Sequence, residues 1–263
     1  MSKGGGVLAV FPAFSYRRLE PDLPLIRGHA GPIVDFDFSP FNDSLLATAS
    51  EDGTVKLWQI PEDGITKDVN EAAGTLSGHN RKLIFAKWHP SADYTLASAG
   101  IDTTVRIWDV AQQKCAITFE GLKHQANDLA WSHNGSLLAT TTKDKMVSFF
   151  DPRQSSSLGT ILAHDGARQQ KLVWLGDSQH ILTCGYSGLS EREFAIWDNR
   201  NFSTPLQKRQ LDSYSGVPFA FFDEEHKVVF VAGKGDSAIT YFQYAPSSPQ
   251  LLEIQGAYKS KEP

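Results

Sequence analysis

Residues 28–58 read GHAGPIVDFDFSPFNDSLLATASEDGTVKLW, and variants of this pattern return four more times along the chain. The stretch divides into three strands. Residues 32–38 (PIVDFDF) alternate apolar and acidic side chains, residues 45–49 are apolar and small, and residues 54–60 (TVKLWQI) are β-branched and aromatic with period two. Glu51, Asp52 and Gly53 supply a turn between the last two, which makes those strands antiparallel neighbours. A Gly-His pair opens the pattern and a Trp closes it.

The later copies keep this punctuation with growing licence. Gly78-His79 opens the second, which runs through KLIFAKWHP and TLASAG to TVRIWDV and Trp108-Asp109. The third has Lys123-His124 at its opening, then NDLAWS, SLLATTT, the turn Lys143-Asp144-Lys145, and Phe150 in the Trp place. Ala163-His164 opens the fourth, which gives KLVWLG and HILTCG, then a longer turn, YSGLSERE, and FAIWDNR with Trp197-Asp198. The fifth has no opening His, but VPFAFFD, KVVFVAG, Gly235-Asp236 and AITYFQY repeat the strand order, with Phe242 closing.

The closing aromatics Trp58, Trp108, Phe150, Trp197 and Phe242 are 50, 42, 47 and 45 residues apart. That is the period of a WD-repeat propeller blade. The predicted fold is all-β, a WD-repeat β-propeller with about five complete four-stranded blades plus a half blade, in one domain. Residues 1–27 are the trailing half blade and a polar connection; 28–77, 78–122, 123–162 and 163–212 are blades; 213–263 are the last blade and tail. Sheets with apolar residues on both faces cannot bury them alone, and stacking neighbours supplies the cover.

At 263 residues, 41% hydrophobic and 21% charged, the chain is long enough for a large core. No apolar run approaches the ~18 residues of a membrane helix, and MSKGGGVLAVFP makes a poor secretory signal, so a cytoplasmic location is expected without direct membrane insertion. A net charge of -5 weighs against a nucleic-acid partner. Cys115 and Cys184 read as two reduced core thiols.

The polar punctuation resembles the buried network of WD repeats, in which a histidine, a hydroxyl, an aspartate and an indole are joined. His29, Ser50, Asp52 and Trp58 fill those roles in the first copy; His79, Asp102 and Trp108 follow in the second, with Gly100 in the hydroxyl place. His124, Thr142 and Asp144 stand in the third, His164 and Trp197 in the fourth, Asp236 in the fifth. Copies lacking a member are expected to lean more on packing. Catalysis has little support, since there is no G-x-S-x-G, no H-E-x-x-H and no paired Cys motif. No catalytic residue, cofactor or metal is expected. The run 233–236 (GKGD) lacks the Walker spacing and reads as a β-turn. Glu191 and Glu193 read as solvated carboxylates, and Asp35 and Asp37 as caps of neighbouring loops. What remains is recognition by loops, for which Lys143, Lys145, Arg168, Lys171, Arg192 and Lys234 are the basic candidates.

Residues 28–64, with NGSLLATTTKDKMVSFFDPR, AHDGARQQKLVWL, GLSEREFAIWDNR, VVFVAGKGDSAITYF and the closing SKEP, resemble the coronin family over nearly the whole chain. The wording DFDFSPFND leans towards its tandem-propeller branch, the coronin-seven or pod-one type. The resemblance implies a seven-bladed propeller that binds actin filaments, other cytoskeletal or trafficking proteins as partners, and a cytoskeletal location, with Golgi or vesicles for the tandem branch. Against seven blades the chain reads as a fragment with two uncovered sheet faces, and it has no coiled coil through which to self-associate. Two rival roles remain. Trp197-Asp198-Asn199-Arg200 and Phe150-Asp151-Pro152-Arg153 resemble the W-D-x-R box of cullin ubiquitin ligase adaptors, and a general scaffold without direct actin binding is the other.

Overall fold

The computed structural model describes residues 6–11, 22–154, 157–201, 203–248 and 250–259; most of the polar connection before Pro24 and the SKEP end lie outside them. Two compact units divide the chain, Met1–Gln125 and Ala126–Pro263. In the first, β1 (Gly6–Leu8) pairs with β2 (Ile26–His29). Two four-stranded antiparallel sheets follow in chain order: β3 (Ile33–Ser39), β4 (Asn42–Ser50), β5 (Thr54–Gln59), β6 (Gly74–Ser77), then β7 (Leu83–Trp88), β8 (Thr95–Gly100), β9 (Val105–Asp109), β10 (Lys114–Phe119). The second unit holds three such sheets. They are β11 (Ala126–Trp131) to β14 (Ser157–Leu162) with β12 (Leu138–Thr142) and β13 (Met146–Phe150) between; β15 (Lys171–Trp174), β16 (His180–Tyr186), β17 (Arg192–Asp198), β18 (Gln207–Asp212); and β19 (Pro218–Asp223), β20 (Val228–Gly233), β21 (Ala238–Tyr244), β22 (Leu252–Lys259).

Side-chain alternation on β4 feeds two cores. Leu45, Ala47 and Ala49 pack with Leu83, Trp88 and Trp108 of the next sheet. Leu46, one residue out of phase, joins Ile26 and Trp58 on the opposite face. The loop after β5 also returns to the half blade, where the Arg27 amide donates to the Val69 carbonyl (2.8 Å) and the Val69 amide to the Leu25 carbonyl (2.9 Å).

On β3 the alternation is inverted. Val34, Phe36 and Phe38 are 42, 53 and 41% exposed, while the acids between them reach β7. Asp35 accepts from the Ala86 amide (3.2 Å) and Lys87 Nζ (3.2 Å), and Asp37 from the Trp88 amide (3.0 Å), with Trp88 Nε1 donating back to the Asp37 carbonyl (3.0 Å). These carboxylates therefore join one sheet to the next rather than capping loops. The second unit repeats the device: Asp128 accepts from the Leu172 amide (3.0 Å), and Trp174 Nε1 donates to the Ala130 carbonyl (3.1 Å). A second uncovered apolar face lies in that unit, where Phe219 and Phe221 are 49 and 68% exposed.

Candidate functional site

Three histidines organise the polar interior. In the first full sheet, Trp58 Nε1 donates to Thr48 Oγ1 (2.8 Å), the Thr48 hydroxyl lies 2.8 Å from His29 Nε2, and His29 Nδ1 lies 2.8 Å from Asp52 Oδ2. An ionised carboxylate only accepts, so Nδ1 carries the proton and Nε2 accepts from Thr48. The chain of donors runs from indole to carboxylate without an unpaired end. Burial lowers the His29 pKa from its ordinary 6.5 despite the pull of Asp52. Burial opposes ionisation of Asp52, but hydrogen bonds from Thr54 and His29 outweigh it and leave that carboxyl below its usual range.

The hydroxyl of this network is Thr48, which corrects the assignment of Ser50. Both side chains share a face of β4, two residues apart, but Thr48 is the one placed beside Trp58, whose own partner across the strands is Leu46. Ser50 ties the turn instead: its hydroxyl donates to the Gly31 carbonyl (2.9 Å) and accepts the Asp52 amide (3.2 Å). The same shift completes the second network. Trp108 Nε1 donates to Ser98 Oγ (2.8 Å), Ser98 lies 2.7 Å from His79 Nε2, and His79 Nδ1 lies 2.9 Å from Asp102 Oδ2. Gly100, read as a missing hydroxyl, occupies the Ser50 position, where a Cβ would sit 2.8 Å from Asp102 Oδ1.

In the fourth repeat Trp197 Nε1 donates to Thr183 Oγ1 (3.0 Å), Thr183 meets His164 Nε2 (3.0 Å), and His164 Nδ1 meets Glu193 Oε1 (2.8 Å). Glu193 is thus buried in the network at 6% exposure, not solvated in a turn. Burial raises its pKa, yet bonds from His164 and Lys208 outweigh that and hold it below the usual range. The third repeat has no such chain. His124 is exposed and makes no hydrogen bond among the described residues, the Phe150 side chain has no N–H to give, and Thr142 closes locally on Asp144 and on the Met146 carbonyl (3.1 Å). Cys184 is buried beside this interior, which pushes its thiol up to about 12.

The basic candidates separate into buried and free groups. Arg192 is 4% exposed. It makes a bidentate pair with Asp212 (Nε–Oδ1 2.5 Å, Nη2–Oδ2 2.6 Å), and its Nη1 pairs with Asp236 Oδ2 (2.6 Å). Asp236 therefore serves Arg192, not a histidine, and a Cβ on Gly233 would lie 2.1 Å from Nη1. Lys171 Nζ is spent on the Asn127 carbonyl (3.0 Å) and Asp128 (3.4 Å). Lys145, at φ 71°, donates to the Asp165 carbonyl (2.6 Å). Arg168 is exposed, bonds the Ser215 carbonyl and lies over the Tyr186 ring, 5.0 Å from its centroid. Lys143 and Lys234 are exposed with no ion pair among the described residues. The run 233–236 is a turn, closed by the Asp236 amide on the Gly233 carbonyl (3.0 Å) with Gly235 at φ 87°.

Residues 22–59, 70–109 and 113–151 match the WD domain, G-beta repeat family. The chain is also 40% identical to Coronin-A of Dictyostelium discoideum over 260 residues, 99% of this chain and 58% of that protein. The chain belongs to the coronin family. Among solved structures it is similar to the WD40 domain of Toxoplasma gondii coronin, with a TM-score of 0.92 and 36% identity over 98% of this chain and 66% of that one. It is also similar in fold to a chain of the mitotic checkpoint complex, with a TM-score of 0.71 at 17% identity over 88% of this chain and 66% of that one. The all-β WD-repeat propeller is thus the fold of this coronin-family chain, which spans about three fifths of its coronin relatives' length.

Sequence reasoning missed Thr48, Ser98, Thr183 and Glu193 in this coronin-family chain. A signal for the hydroxyls was present: each stands 19 residues after its histidine. The indole follows 10, 10 and 14 residues later. The longer last interval is the extended turn of the fourth repeat, which carries the acid off the turn and onto β17, where the extra methylene of Glu restores the reach to His164.

Proposed function

We propose that this coronin-family chain binds actin filaments through exposed loop cations of its second unit and so takes part in organising the actin cytoskeleton. The observation that carries the reading is the 40% identity to Coronin-A across 99% of the chain, together with the actin binding that the coronin resemblance implies. Of the six basic candidates, Lys143, Arg168 and Lys234 are the exposed ones, Arg168 while bonding the Ser215 carbonyl, whereas Lys145, Lys171 and Arg192 are less exposed and committed to other partners. Acidic actin would meet them electrostatically, so binding weakens as salt rises. The role is recognition in the cytoplasm, not catalysis.

Co-sedimentation with actin filaments at low and moderate salt tests this. The expected result is salt-sensitive pelleting of the folded protein that is lost when Lys143, Arg168 and Lys234 are all changed to Glu. A folded chain that never pellets, or a triple variant that pellets as before, overturns the reading. Traffic at the Golgi or on vesicles belongs to the tandem-propeller branch, and a tagged chain found there rather than on filaments would favour it. In Trp197-Asp198-Asn199-Arg200 the exposed Arg200 is bidentate to Asp198 (2.9 and 2.6 Å). Retrieval of a cullin ligase's propeller adaptor by the tagged chain would favour the adaptor role instead.

A further inference from the structure

In the second unit, the hairpins that leave the first strand of each sheet bring three ligand-bearing side chains together. His133 follows β11, Asp177 lies between β15 and β16, and Glu224 lies between β19 and β20. One ring nitrogen and one oxygen from each carboxylate all lie within 4.8 Å of one another. His133 Nδ1 is 2.8 Å from Glu224 Oε2, and Nε2 is 3.9 Å from Asp177 Oδ1. None of the three belongs to the histidine networks or to the joints between sheets. Gly176 allows the approach: it sits at φ 62°, and a Cβ there would lie 3.0 Å from Glu224 Oε1.

We propose that His133, Asp177 and Glu224 form a binding site for a divalent transition metal of the zinc class. The donor set argues for that class, because an imidazole with two carboxylates suits zinc and its borderline neighbours, whereas magnesium and calcium prefer oxygen alone. Bonds near 2.0 to 2.1 Å at tetrahedral angles separate ligand atoms by roughly 3.4 Å. A pair at the 4.8 Å limit must therefore close by about 1.4 Å, which side chains 49, 77 and 37% exposed can do by rotation. The ion replaces the His133 to Glu224 hydrogen bond and balances the two carboxylates. Water, or a donor from a bound partner, completes the coordination. Bound there, it ties three successive sheets at their hairpins.

The test is titration of the chelator-treated full chain with cobalt, read by its visible absorption, and with zinc, read by calorimetry. The expected result is one ion per chain and a melting temperature that rises with zinc. His133→Ala, Asp177→Asn and Glu224→Gln should each weaken binding by at least the ~10-fold that losing even an outer partner of a metal site costs. His226→Ala, which removes the neighbouring histidine paired with Asp223 (2.9 Å), should leave affinity unchanged. No cobalt band and no zinc heat up to millimolar ion, or affinity that survives His133→Ala, overturns the proposal and leaves His133 as the hydrogen-bond partner of Glu224 alone. Because all three residues are on the surface, the unfolding transition of the metal-free variants should match that of the parent.

Discussion

At Thr48 two hydrogen bonds meet on one buried oxygen, from the Trp58 indole and towards His29 Nε2. Thr48→Val keeps the shape and removes the hydroxyl, which leaves a donor and an acceptor unpaired at sites of 0% and 7% exposure. At roughly 1 to 3 kcal/mol for each orphaned group, the variant should lose about 2 to 6 kcal/mol. Ser50→Ala releases only the Gly31 carbonyl and the Asp52 amide, both at the edge of the turn, and should cost about 1 kcal/mol. Urea unfolding of the two variants decides between the hydroxyls, and a larger loss at Ser50 would return it to the network.

The strand β17 shows how an element reassigns its residues. The sequence places Arg192 in the long turn YSGLSERE as a candidate for partner contact, yet the pairing of β17 with β18 sets it against Asp212, and the turn after β20 brings Asp236 to its other edge. A buried guanidinium held by two carboxylates is structural, since removing it strands charges that burial alone disfavours. Asp212 ends below the usual carboxylate range because bonds from Arg192 and the Tyr214 amide outweigh its burial. Arg192→Met should therefore destabilise the protein by about 3 kcal/mol, measured by denaturant midpoint, whereas Lys234→Glu, one turn away and exposed, should leave the midpoint within about 0.5 kcal/mol. Equal effects of the two would mean that Arg192 is not held as described.

Across the molecule, histidines wholly or partly withdrawn from solvent set the response to acid. His29, His79 and His180 all lie below the ordinary imidazole value of 6.5 because burial disfavours their charge. Between 6.5 and those lowered values the unfolded chain binds more protons, so stability is full above the ordinary value and is lost as pH falls through that window. Asp52, Asp102 and Glu193, held below their usual ranges, add a second loss at lower pH. Asp37 and Asp128 oppose it, since burial raises them and the stability they contribute is present in acid and lost as pH rises through their raised values. The melting temperature should fall from about pH 7 to pH 5. His29→Gln with His79→Gln should lower it at neutral pH and flatten that slope; an unchanged slope would place the acid response elsewhere.

The sequence by itself determined the all-β class, the repeat period and the coronin resemblance, because strand alternation, turn residues and closing aromatics are local signals that recur at each copy. It also placed His29, His79 and His164 at the openings of their repeats. What only the tertiary structure decided is which partner each side chain meets. Thr48 and Ser50 share one face of a strand, so choosing between them needs the position of the Trp58 ring. Asp35 and Asp37 alternate with Phe36 and Phe38 in a way that reads as an ordinary half-buried strand. Which set turns inward depends on whether the next sheet offers β7's amides or an apolar wall. Arg192, Asp212 and Asp236 lie up to 44 residues apart, and strand pairing with sheet stacking, neither of which a local window contains, makes them one ion-pair cluster, while Glu193, next to Arg192 on the strand, is turned to His164 instead.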